Sequence, residues 1–160
     1  MLWDPTHPTN ALDLKRTEAA AKALNLKVHA AAAHDRSEID QAFVEMRRRR
    51  PQALVVLTSY AAFVHMSRIL ELAKKDRLPT IYGTRGGALA GALLSYGPAM
   101  VDQYRHAAAF VDKILKGAKP ADLPVEQPTR FELAINLVTA KALGIAVPQS
   151  ILLRADEILK

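Results

Sequence analysis

Ala53-Leu54-Val55-Val56-Leu57-Thr58-Ser59-Tyr60 decides the fold. A continuous apolar run with two adjacent valines suits a strand covered on both faces. A helical run follows to about Lys75, with Phe63, Ile69, Leu70 and Leu72 as its inner face. Then come Leu78-Pro79-Thr80-Ile81-Tyr82-Gly83, Gly86-Gly87 and Leu93-Leu94-Ser95-Tyr96-Gly97. Two short apolar runs end in small polar and aromatic residues with one helix between them. That is the strand–helix–strand unit of a parallel sheet. Ligands meet such sheets at the carboxyl ends of the strands. The tips Thr58-Ser59-Tyr60 and Tyr82-Gly83-Thr84-Arg85 are therefore where a ligand is expected.

Outward from this unit the pattern repeats. Asn10 reads as the N-cap of a helix from Ala11 to about Leu24, and Leu26, Val28 and Ala30 alternate as a strand. Ser37 with Asp40 resembles a capping box ahead of a helix from about Glu38 to Arg49 that Pro51 stops. Ala88 to Leu94 reads as a short helix or a buried connection, and Ser95-Tyr96-Gly97-Pro98 as a turn. Ala99 to Leu115 is a long helix ended by Gly117 and Pro120. The segment with Pro120, Pro124 and Pro128 is extended, Arg130 to Leu137 alternates as a strand, and Thr139 to Leu143 is a helical piece capped by Gly144. Pro148 opens a last helix of about ten residues. The fold class is α/β: a parallel sheet flanked by helices.

The chain has 160 residues, half of them hydrophobic, enough for a real core. Lysine and arginine number 22 against 16 acids, a formal charge of +6, and Arg47-Arg48-Arg49-Arg50 supplies four of the positive charges. Those arginines end a helix, where cations are favoured. They lack interleaved aromatics or a recognition-helix pattern, so a nucleic acid is not the expected partner. The absence of cysteine excludes disulfides, thiol catalysis and thiolate metal sites. His7, His29, His34, His65 and His106 show no metal-ligand spacing. No nucleophile elbow, paired catalytic carboxylates or nucleotide-binding glycine loop is present. The expectation is a non-enzymatic protein without cofactor or metal. No window is long and apolar enough for a membrane span. No basic stretch leads an apolar one at the N-terminus, so the chain as written reads as cytoplasmic. Met1-Leu2-Trp3-Asp4-Pro5 reads as the end of a strand that has lost its beginning.

The tail is the most distinctive part. It runs Ala107-Ala108-Ala109-Phe110-Val111-Asp112-Lys113-Ile114-Leu115-Lys116-Gly117-Ala118-Lys119-Pro120-Ala121-Asp122-Leu123-Pro124-Val125-Glu126-Gln127-Pro128-Thr129-Arg130-Phe131-Glu132-Leu133. It continues through Ile135-Asn136 and Thr139-Ala140-Lys141-Ala142-Leu143-Gly144 to Pro148, then Leu153-Arg154-Ala155-Asp156-Glu157. This closely resembles the end of the ABC-transporter substrate-binding proteins for tryptophan/tyrosine-type or unknown solutes. Leu2-Trp3-Asp4-Pro5, the Ala53–Leu57 strand, Leu78 to Gly83 and Leu94 to Gly97 fit the same family.

The resemblance implies one lobe of a type I periplasmic-binding-protein-like fold, with a first lobe and secretion signal preceding Leu2 in the family. It implies residues 1–97 as the ligand-binding lobe and 98–160 as a tail packing partly on the other lobe. It implies a periplasmic location, an amino-acid-like small polar solute held between lobes, and an ABC permease as partner. For this chain alone, weak or no solute binding is expected, or a homodimer through the surface the first lobe would cover. The alternative is an effector-binding domain of a regulator or a small α/β enzyme.

Each candidate ligand residue carries two readings. Thr58, Ser59 and Tyr60 meet a polar solute group, or Ser59 only caps the next helix. Asp4, Thr6 and His7 hold the equivalent place after the first strand, or Asp4-Pro5 is only a turn pair. Tyr82, Thr84 and Arg85 follow the next strand; Arg85 pairs with a carboxylate or is a plain loop arginine. Tyr96 stacks on the solute or serves packing near a hinge.

Overall fold

The computed structural model describes residues 1–160. The strands are β1 (Leu2–Trp3), β2 (Ala31–Ala32), β3 (Leu54–Val56), β4 (Thr80–Tyr82), β5 (Leu94–Pro98), β6 (Phe131–Asn136) and β7 (Glu157–Leu159). The helices are α1 (Asn10–Ala23), α2 (Arg36–Arg49), α3 (Tyr60–Val64), α4 (Met66–Lys75), α5 (Arg85–Ala90), α6 (Met100–Leu115), α7 (Leu137–Leu143) and α8 (Gln149–Leu152). One sheet takes all seven strands in the order β2-β1-β3-β4-β5-β6-β7. The first five run parallel, β6 is antiparallel to β5, and β7 is parallel to β6. The α/β class and the helix-flanked, mostly parallel sheet are as the sequence implies.

The core lies on one face of this sheet. Leu2, Val56 and Tyr82 stand in register across β1, β3 and β4. They pack with Ile39, Phe43 and Met46 of α2 and with Ile69, Leu70, Leu72 and Ala73 of α4. Phe43 is wholly buried. The apolar spacing 39, 43, 46 and 69, 72–73 puts these side chains on one stripe of each helix, which is why both lie on the sheet. Right-handed crossovers send α1 to the opposite face, where only Asn10 and Ala21 of that helix are buried.

Several local expectations are corrected. Thr9, not Asn10, stands at the N-cap of α1, and Asn10 is a fully buried first-turn residue. The strand expected at Leu26–Ala30 forms instead at β2, because the backbone bonds to β1 fall there: Ala31 N–H to Met1 O and Ala33 N–H to Trp3 O. The box ahead of α2 uses Asp35 and Glu38. Asp35 is extended and its carboxylate accepts from the Glu38 N–H at 2.9 Å, while Glu38 accepts from the His34 N–H at 3.0 Å. Ser37 already lies inside the helix. The helix expected from Tyr60 to Lys75 divides at His65. The break changes the phase of the first turn, so Ala61 and Ala62 face inward and Phe63 faces out.

Two errors share a cause. Ser95-Tyr96-Gly97-Pro98 is strand, not turn: β5 pairs with β6 from Leu94↔Ile135 to Pro98↔Phe131. Gly97 is there because a β-carbon on it would collide with the Gly83 carbonyl. The expected last helix is only α8, four residues long, followed by β7. Asp156 fastens that return, its N–H bonding Leu133 O and its carboxylate accepting the Leu133 N–H at 2.8 Å. Long-range pairing decides both segments, and local composition does not contain it.

Candidate functional site

The strand order reverses between β1 and β3. The chain leaves β1 for β2 on one side and returns to β3 on the other. In open α/β sheets the ligand crevice opens at such a switch point, beyond the carboxyl ends of the two strands. Here those ends are Asp4-Pro5-Thr6-His7 and Thr58-Ser59-Tyr60.

Asn10 ties the two ends together. Its Oδ1 accepts the Asp4 N–H at 2.9 Å, and its Nδ2 donates to the Thr58 carbonyl at 3.0 Å. Nδ2 also lies 3.2 Å from His7 Nδ1, which accepts when the ring carries its proton on Nε2. Asp4 is 5% exposed, and its Oδ1 accepts both the Thr6 N–H (2.9 Å) and the Thr6 hydroxyl (2.7 Å). Thr6, Thr58 and Tyr60 are exposed, Tyr60 at the first position of α3. Ser59 is buried and accepts the Ala62 N–H at 3.0 Å, so it does cap α3.

The row continues along the same edge. A β-carbon on Gly83 would meet the Thr58 hydroxyl, and Gly97 presses on Gly83. The tips that follow β3 and β4 and the strand β5 therefore sit in direct contact.

Tyr82 does not join the edge. It is 4% exposed, in the core cluster, and its phenol oxygen has no partner. Burial pushes its pKa up. Thr84 stands at the N-cap of α5 without a side-chain cap bond. Arg85 is held by Glu157 through two hydrogen bonds, Nε at 2.6 Å and Nη2 at 2.7 Å, and this pairing raises its pKa. Tyr96 is exposed and stacks on Phe131, ring centroids 5.8 Å apart. The structure thus joins Asp4, Thr6 and Thr58 through Asn10, with Tyr60 beside them, and separates Tyr82 and Arg85 from that group. Sequence reasoning missed Asn10. Its signal was a buriable amide one turn after a strand tip, read only as a cap.

Cavity size does not locate this site. A groove of about 340 Å³ lies between α4, α5 and α7, lined by Leu70, Leu78, Thr80, Val138 and Leu143, near the amino end of β4. A second, of about 280 Å³, lies among Arg85, Arg130, Glu132, Asp156 and Glu157. His34, Asp35 and Glu38 bring ligand atoms within 4.8 Å of one another. Glu38 meets both the His34 N–H and, at 2.8 Å, the His34 ring Nδ1, while Asp35 caps α2, so the three are joined to one another at the surface. No helix is long and apolar enough to cross a membrane.

A helix-flanked, mostly parallel sheet with a switch point between β1 and β3 defines an open α/β domain. The chain belongs to the ABC transporter substrate binding protein family, whose sequence model matches residues 1–159. Its fold is that of a conserved domain protein from Vibrio cholerae (22% identity, TM-score 0.87, covering 98% of this chain and 53% of that one). It is equally that of an ABC domain from Streptococcus pneumoniae solved in complex with L-Trp (23%, TM-score 0.89, 99% and 55%). A ligand-free, open substrate-binding protein with adhesive properties from Clostridium difficile is also similar (19%, TM-score 0.71, 99% and 53%). This chain spans about half the length of each. No curated protein matches.

Proposed function

We propose that this chain supplies one wall of a solute cleft in a periplasmic, non-enzymatic binding component of an ABC importer. The solute is small, polar and amino-acid-like, and the loaded protein presents it to a membrane permease. The observation that carries the reading is the Asn10 clamp, which fixes two strand tips at the switch point of a sheet from a substrate-binding family. The L-Trp held by the pneumococcal neighbour makes amino acids the first class to try.

The opposite wall belongs to a second α/β lobe. Residues 1–97 form the ligand-facing lobe, and the tail from residue 98 packs partly on that second lobe. The support is α6, which buries none of its side chains. Val101, Tyr104, Ala108, Val111 and Leu115 nevertheless form a stripe of spacing 3, 4, 3, 4 along it. Closing the two walls around solute shifts an open–closed equilibrium. A second reading uses the same stripe: two copies of the chain pair through α6. Light scattering separates the two, a monomer counting against the pairing.

The test is a nuclear magnetic resonance titration of this chain with the twenty amino acids. The expected result is millimolar binding that moves the amides of residues 4–10 and 58–60. Micromolar affinity would overturn the two-wall reading. Shifts confined to other residues would overturn the placement.

A further inference from the structure

We propose that Asp4 is the receptor for a protonated amine on the solute. This rests on the placement of the cleft just given and adds the charge of the group that enters it.

Asp4 is a buried carboxylate without a cation. Carboxylates this buried are normally paired, and none of the ion pairs within the chain includes Asp4. Both hydrogen bonds that its carboxylate accepts go to Oδ1. Oδ2 accepts none, yet it is not among the polar atoms sealed from solvent. The open oxygen therefore reaches the surface at the mouth of the switch point. Thr6 and the Asn10 bond to the Asp4 N–H hold the carboxylate in place from behind.

Arginines farther along the sheet are already paired within the chain. Arg85 is committed to Glu157, and Arg130 to Asp102 at 3.3 Å and Glu132 at 3.7 Å. On the β2 side of Asp4 the strand end brings Asp35, with Glu38 one turn on. Arg36 opens α2 there, and its charge acts on Asp40. An ammonium group donating to Oδ2 completes a charge-assisted hydrogen bond that the chain leaves unmade.

The experiment uses the isotope-labelled chain and three probes of one shape: benzylammonium, benzyl alcohol and benzoate. Benzylammonium is expected to move the Asp4 carboxyl carbon and the Thr6 amide, and the other two to leave them in place. Asp4→Asn keeps the acceptor for Thr6 and is expected to weaken benzylammonium binding about tenfold or more. Asp13→Asn, an acid of α1 outside the crevice, is expected to leave it unchanged. If benzoate or the alcohol moves the same signals as strongly, the cleft stands and the amine assignment falls. Full binding by Asp4→Asn overturns the assignment as well. If no probe moves residues 4–10 or 58–60, the cleft placement falls with it. The three-probe comparison on the unaltered chain decides the question even if the variant does not fold.

Discussion

The sheet with α2 and α4, and the arm formed by α6 with its return to Arg130, both carry apolar helix stripes, with opposite outcomes. In the first, Ile39, Phe43, Met46, Ile69 and Leu72 are sealed against Leu2, Leu54 and Val56. In the second, Tyr104 is 70% exposed and Leu115 81%. The ion pairs follow suit. Arg68–Asp40 and Arg47–Asp76 bind α2 to α4 and its end. Arg105–Asp102, Lys116–Asp112, His106–Glu126 and Arg130–Asp102 close the arm upon itself, and only Arg130 also reaches the sheet, at Glu132 of β6. Helices in proteins draw most of their stability from packing an amphipathic face, and α6 lacks that packing here. The difference teaches that amphipathic pattern specifies a face to be covered, and only the fold says whether the same chain covers it.

The contrast is tested most strongly at Phe43. Phe43→Ala is expected to cost about 3–5 kcal/mol, since the cavity it leaves is walled by two helices and the sheet. Val111→Ala on α6 is expected to stay within about 0.5 kcal/mol, helix propensity favouring alanine. Urea unfolding measures both. A cost at Val111 comparable to Phe43 would mean that α6 is covered in solution.

Next in size are two backbone-level tests. Gly97→Ala drives a β-carbon into the Gly83 carbonyl and is expected to cost about 1–3 kcal/mol. Gly117→Ala tests the arm: Gly117 has φ +100 with nothing within 4 Å of a β-carbon, so its cost is strain alone, about 1 kcal/mol. Asn10→Ala strips the partners from the Asp4 N–H and the Thr58 carbonyl. About 1–3 kcal/mol is expected for such orphaned groups, together with loss of the amino-acid-induced shifts at Thr58. Retained shifts would show that the two strand tips hold their spacing without the clamp.

What the sequence made legible divides along the same line. Runs such as Leu54-Val55-Val56 and stripes such as Ile39-Phe43-Met46 carry their burial in their period, so the parallel unit, the core face and the strand tips could be read directly. Gly97, Asp156 and Asn10 could not be. Each acts on a residue distant in sequence: Gly83, Leu133 and Thr58. Gly-Pro read as a turn where it marks a close approach of two backbones, and an asparagine before a helix read as a cap where it is a tie. Tyr82 misled for a related reason. Its place at a strand end was right, but the pleat turns its side chain to the buried face.

The smallest expected effect concerns acid. Arg68 donates to Asp40 and holds its carboxyl below the ordinary carboxylate range, and the Glu38 N–H does the same for Asp35. A carboxylate whose pKa is lower folded than unfolded binds fewer protons in the native state. Its stabilisation is complete above the unfolded value, near 4, and is lost as pH falls through the folded value. Both groups lie on the α2 side of the molecule, Asp40 joined to α4 and Asp35 capping α2. The urea midpoint of the chain is therefore expected to decline below about pH 4, and Asp40→Asn to flatten that decline slightly. The comparison is Asp112→Asn, which removes an ion pair made only with Lys116 inside the arm. Equal flattening by both variants would show that acid weakens the whole surface evenly, and not the α2–α4 ties in particular.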